Sequence, residues 1–106
     1  MDTFNLTGKH IAITGASSGF GHHFAGVLAR AGAKVSLGAR RKEKVRERVR
    51  ELEKSGLKAV GVQLDIRHSS SIDAFFDRAE EALGPIDTII NNAGVESGAK
   101  TFLMID

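Results

Sequence analysis

Apolar positions along the chain follow two alternating rhythms. The run "KHIAIT" (9–14) reads as a strand, and from Phe20 the apolar residues Phe20, Phe24, Val27, Leu28 and Ala31 recur at helical spacing until Gly32 offers a stop. "AKVSLGA" (33–39) is a second strand. It leads into "RRKEKVRERVRELEKSG", where Val45, Val49 and Leu52 form one stripe among charges and Gly56 closes an amphipathic helix. "KAVGVQL" (58–64) predicts a third strand. Ser70, with Asp73 three residues on, is placed to cap a third helix running through Phe75, Phe76, Ala79 and Leu83, and Gly84 and Pro85 end it. "IDTIIN" (86–91) is a fourth strand.

Strand and helix in turn, with helices this short, imply right-handed crossovers and a parallel sheet covered on both faces, hence an α/β fold of the form βαβαβαβ. The fourth strand is then an exposed, isoleucine-rich edge. There is no internal repeat, low-complexity tract or linker, so residues 1–106 form one unit.

Composition changes this picture little. The chain is 42% apolar and 26% charged, has no apolar run long enough for a membrane span and lacks a signal-peptide layout. With no cysteine, disulfide and thiolate chemistry are excluded, and the expected setting is cytoplasmic. Charge is unevenly spread. Residues 40–58 hold nine Lys/Arg against four Glu, hence +5, and the rest holds six basic and nine acidic residues, hence −3. Such a segment attracts phosphates. Without aromatic stacking partners it does not read as a nucleic-acid surface, and most of these charges are expected on a solvated helix face. His22 and His23 are neighbours that point apart, and His10, His68, Glu80 and Glu81 have no companion ligands, so no metal site is expected.

The chemistry lies where the first strand meets the first helix, in "TGASSGFGHHF" (14–24). A helix start offers unpaired N–H groups and the positive end of a dipole, and glycine lets an anion approach them. Gly15 suits a tight exit from the strand, Gly19 a close approach of backbone to a pyrophosphate, and Gly21 close packing of helix on strand, with Ser17 and Ser18 as added donors. A P-loop would need Lys and Ser/Thr after its last glycine, where this chain has His22 and His23.

"TGASSGFG" resembles the cofactor motif of the short-chain dehydrogenase/reductase family. "NNAG" (91–94) and "LD" (64–65) resemble two further family motifs in the right order. The resemblance covers nearly the whole chain. It implies a Rossmann-type doubly wound parallel sheet, incomplete here, with strand order 3-2-1-4, forming the N-terminal part of an NAD(P)-binding domain. It also implies that Gly15, Ser17, Ser18, Gly19, Phe20 and Gly21 hold the pyrophosphate. Asp65 and Ile66 would meet the adenine, and Asn91, Ala93 and Gly94 the ribose and sheet edge. At the end of the second strand, Ala39 stands where the family's NAD enzymes carry Asp, and Arg40 and Arg41 follow. Guanidinium groups grip a 2′-phosphate, so NADP is expected over NAD.

In the family, a Tyr acts as acid and base, a Lys four residues on lowers its pKa, and a Ser orients the carbonyl or alcohol. This chain contains no tyrosine. It therefore has no assignable catalytic residue, and it reads as the cofactor-binding half of an NADP-dependent oxidoreductase acting on a carbonyl or secondary alcohol. On that reading "FLMID" belongs to the entry into the next helix. Such a half is expected to be inactive alone and, as the full protein, to form homo-oligomers. The rival reading is a non-catalytic dinucleotide-binding or sensing module.

Overall fold

The computed structural model describes residues 5–15, 19–91 and 102–105, with Gly19, Phe20 and 102–105 described by their backbone. The elements run β1 (His10–Thr14), α1 (Gly19–Arg30), β2 (Lys34–Ala39), α2 (Lys42–Lys54), β3 (Ala59–Gln63), α3 (Ser69–Leu83), β4 (Thr88–Asn91) and β5 (Phe102–Ile105). They form one sheet in the order β3-β2-β1-β4-β5. β1 pairs in parallel with β2 and β4, and β2 with β3, as the strand–helix alternation predicts. Positive-φ glycines end all three helices: Gly32 (φ +106°), Gly56 (φ +79°) and Gly84 (φ +91°).

Two expectations fail at the far end. "FLMID" does not open a helix, because Phe102–Ile105 form β5, antiparallel to β4 with Thr88 opposite Ile105. β4 is accordingly not an edge. A run of Phe, Leu, Met and Ile suits either state by composition, and the open β4 ladder decides for the strand.

The sheet separates two apolar layers because side chains alternate along each strand. Ile11, Ile13, Val35 and Leu37 face α1 and α2, where they join Ala25, Ala29, Val45 and Leu52. Ala12, Val62 and Leu64 face α3, with Phe75, Ala79 and Ile86. The α2 stripe is therefore as predicted. On α1, however, the fully buried positions are Ala25 and Ala29, while Phe24 and Leu28 pack at the margin. Small residues let the helix lie close to the sheet, which hydrophobic spacing alone does not reveal. The start of α3 also departs from expectation. The helix begins at Ser69, its N-cap is His68 without a side-chain cap bond, and the Ser70–Asp73 capping box does not form. Ser71 instead accepts the Asp65 N–H at 2.9 Å through its hydroxyl, binding the helix start to the preceding loop.

On the α3 face, at the N-terminal end of the strands, His10 is completely buried. Its Nδ1 donates to the Gly84 carbonyl at 2.8 Å, which fixes the neutral tautomer and leaves Nε2 to accept from Ser36 Oγ at 2.9 Å. Asp87 receives the His10 backbone N–H. Burial pushes the imidazole pKa below its ordinary 6.5, assisted by Lys34 and opposed by the Gly84 bond and by Glu80 and Asp87. Well above pH 6.5 the ring is neutral whether the chain is folded or not. As pH falls through that value, the unfolded chain takes up a proton that the folded chain resists, so stability is lost toward acid. The urea midpoint is expected to drop between pH 7.5 and pH 5, and His10→Asn should flatten that slope; an unchanged slope would refute this role.

Candidate functional site

Because β1 to β4 are all parallel, their C-terminal ends meet at one rim. The register sets Thr14 beside Gly38 and Asn91, and Ala39 beside Gln63. β1 is the strand at which the connections diverge, toward β2 on one side and β4 on the other, and that divergence leaves a crevice at the rim.

Gly15 follows β1 at φ +68°, a left-handed conformation in which a Cβ would be strained, and four residues later the chain has turned into α1. Gly19 and Phe20 open the helix, and Gly21 is buried in its first turn. The positive end of the α1 dipole therefore lies at the rim. Ser17 and Ser18 lie outside the described residues, as do Ala93 and Gly94. Thr14 donates through Oγ1 to Asn91 Oδ1 at 2.8 Å, which clamps the ends of the two central strands under the turn.

At the next strand end Ala39 is buried, 4% exposed, whereas Arg40 and Arg41 are both exposed. Arg41 is the N-cap of α2 and makes no side-chain cap bond, and among the described residues neither guanidinium has a hydrogen bond or ion pair. The corner itself is secured from β3, because Gln63 Nε2 donates to the Arg40 carbonyl at 3.1 Å. Sequence reasoning missed Gln63, since no local pattern marks a residue whose partner sits 23 positions away.

Beyond β3, Asp65 is held on several sides. Its carboxylate accepts Arg67 Nε at 2.9 Å, Arg67 Nη2 at 2.7 Å and the Arg67 backbone N–H at 3.0 Å. These bonds, the side-chain ones foremost, hold the Asp65 carboxyl well below the usual carboxylate range, so it is ionised at any working pH. Ile66, 46% exposed, is the exposed large hydrophobic residue beside it. Arg67 was also missed, although the Asp-x-Arg spacing is the local signal for a carboxylate turned back onto the following arginine. The structure thus brings Gly15, the start of α1, Arg40, Arg41, Asp65, Ile66 and Asn91 to one rim. Among the described residues, no group of three His, Asp or Glu is placed to hold a metal, and no helix is long and apolar enough to cross a membrane.

The family model for short chain dehydrogenases matches residues 9–106. The 5-keto-D-gluconate 5-reductase of Escherichia coli is 36% identical over 95 residues, which cover 90% of this chain and 37% of that enzyme. A crystal structure of the actinorhodin polyketide ketoreductase with NADPH superposes with a TM-score of 0.73 at 35% identity, covering 79% of this chain and 33% of that one. A short chain dehydrogenase/reductase from Burkholderia phymatum in complex with NAD gives 0.75 at 34% identity, covering 80% and 30%. This chain thus spans about a third of the length of the proteins it matches. Glycine turn, strand order and matched span agree: the chain belongs to the short-chain dehydrogenase family.

Proposed function

We propose that residues 1–106 are the N-terminal, dinucleotide-binding part of an NADP-dependent oxidoreductase that interconverts carbonyls and secondary alcohols. The observation that carries this reading is the pair of exposed, unpaired guanidiniums at Arg40 and Arg41, on the same rim as the α1 start and with no carboxylate between Arg30 and Glu43. The donor set suits the cofactor. Backbone at Gly15, Gly19, Phe20 and Gly21 with the hydroxyls of Ser17 and Ser18 would receive the pyrophosphate, aided by the α1 dipole. Arg40 and Arg41 would take the 2′-phosphate. The ionised Asp65 would accept from the adenine amino group while Ile66 packs on its ring, and Asn91, Ala93 and Gly94 would border the ribose.

When bound, the nicotinamide supplies the hydride. The chain's own residues would bind and orient the cofactor; it contains no tyrosine to serve as the family's acid and base. Support for the cofactor class comes from relatives whose structures hold NADPH in one case and NAD in another, and the arginine corner favours the former. The test is a fluorescence titration of the chain with NADPH and NADH. NADPH is expected to bind at least about ten-fold more tightly, which corresponds to about 1.4 kcal/mol. Equal affinities would sink the NADP assignment.

A further inference from the structure

The basic helix α2 was expected to be a solvated face, yet one of its arginines does not behave like a surface residue. Arg48 has a side chain only 15% exposed. It reaches across to α1, where Nη2 donates to the His22 carbonyl at 2.9 Å, while Nη1 is paired with Glu51 at 3.3 Å. Its Nε is buried without a hydrogen-bond partner. An arginine free to choose its rotamer would avoid that cost, so packing and the bond to α1 hold the side chain in place. Room for it comes from Gly26, where a Cβ would lie 2.7 Å from Arg48 Nη2 and 3.1 Å from both Nη atoms of Arg30.

The bond has a particular address. His22 belongs to the first turn of α1, the helix whose start faces the rim, and Arg48 sits on α2, the helix that begins immediately after Arg40 and Arg41. Few contacts otherwise join the two helices, which pack side by side on the sheet, so the guanidinium braces the first turn of α1 against the middle of α2 and thereby sets how the two helices lie relative to each other.

We propose that Arg48 is a positioning residue that fixes the spacing between the two phosphate-binding helix starts, one for the pyrophosphate and one for the 2′-phosphate. This rests on the cofactor reading given above and adds to it a residue that touches no ligand. A ligand that engages both starts feels the brace. A ligand that engages one does not.

The experiment measures dissociation constants of NADPH, 2′,5′-ADP and 5′-AMP for the full chain and for Arg48→Met, Gly26→Ala and Arg30→Gln. Arg48→Met is expected to weaken NADPH and 2′,5′-ADP by roughly five- to ten-fold, and to leave 5′-AMP within about two-fold. Gly26→Ala should reproduce this pattern by displacing the guanidinium while keeping its charge; as a helix-favouring change it keeps the test open if Arg48→Met fails to fold. Arg30→Gln should bind all three ligands as the parent does, assigning the Gly26 effect to Arg48. Unchanged affinities in Arg48→Met and Gly26→Ala, or an equal loss for all three ligands, would overturn the inference. A parent chain that bound no NADPH would instead defeat the cofactor reading, and this inference would fall with it.

Discussion

Replacing Arg40 and Arg41 together by serine should weaken NADPH binding by about 100-fold and leave NADH within about two-fold, two charge-assisted contacts at about 1.4 kcal/mol each. The two cofactors differ only by the 2′-phosphate, so the ratio of their dissociation constants isolates what reads it. Both side chains are exposed and unpaired, so their loss removes no contact from the fold. Exposure also tempers the effect, and the NADPH preference should shrink as salt is raised and the guanidiniums are screened. Installing an Asp at position 39 would be a poorer test. Ala39 is buried in the layer beneath α1 and α2, and a carboxylate there would face desolvation before it met a ribose. If both cofactors weakened equally in the double serine variant, the arginines would be acting on the fold and not on the 2′-phosphate.

Phe75→Ala should cost about 3–5 kcal/mol, a large share of the roughly 5–15 kcal/mol that holds a domain of this size together. The ring is completely buried and anchors α3 to the sheet. It lies over Gly38, where an added Cβ would stand 2.7 Å from the ring and 2.9 Å from Leu64. The glycine on the strand and the ring on the helix are therefore one fitted pair. At about 4–8 °C per kcal/mol, the melting temperature should fall by more than ~12 °C, if a cooperative transition survives. Gly38→Ala should cost about 1–3 kcal/mol by overpacking, and less in a Phe75→Leu background where the neighbour can yield. A Phe75→Ala melting point within a few degrees of the parent would contradict this account of the α3 face.

Much of this fold was legible in the order of residues because its strands and helices carry their own periodicities and are punctuated by glycine. Gly32, Gly56 and Gly84 closed the helices where the pattern ended. What escaped was non-local. Whether "FLMI" becomes strand or helix depends on the unfilled ladder of β4, and the burial of Ala25 and Ala29 in place of the larger residues beside them depends on how closely α1 approaches the sheet. At the rim, the glycine turn and the two arginines announce their chemistry because it is performed by backbone freedom and exposed charge. Gln63 and Arg48 do not, because each acts on a carbonyl contributed by a distant element. A helix rich in arginine gives no local sign of which one turns inward.

The central strand is completed from the far side of the chain. His10 bonds to Asp87 and Thr14 to Asn91, each across 77 positions. On a ribosome adding ~5–20 residues per second, β1 must wait roughly 4–15 s for its second neighbour to be synthesised. Throughout that interval β1, with its isoleucines, has one unsatisfied flank, the kind of unpaired edge that exposes a newborn polypeptide to aggregation. The clamp that finally seals that flank, Thr14 on Asn91, lies directly beneath the glycine turn, so the turn's seat is completed only once Asn91 has been added.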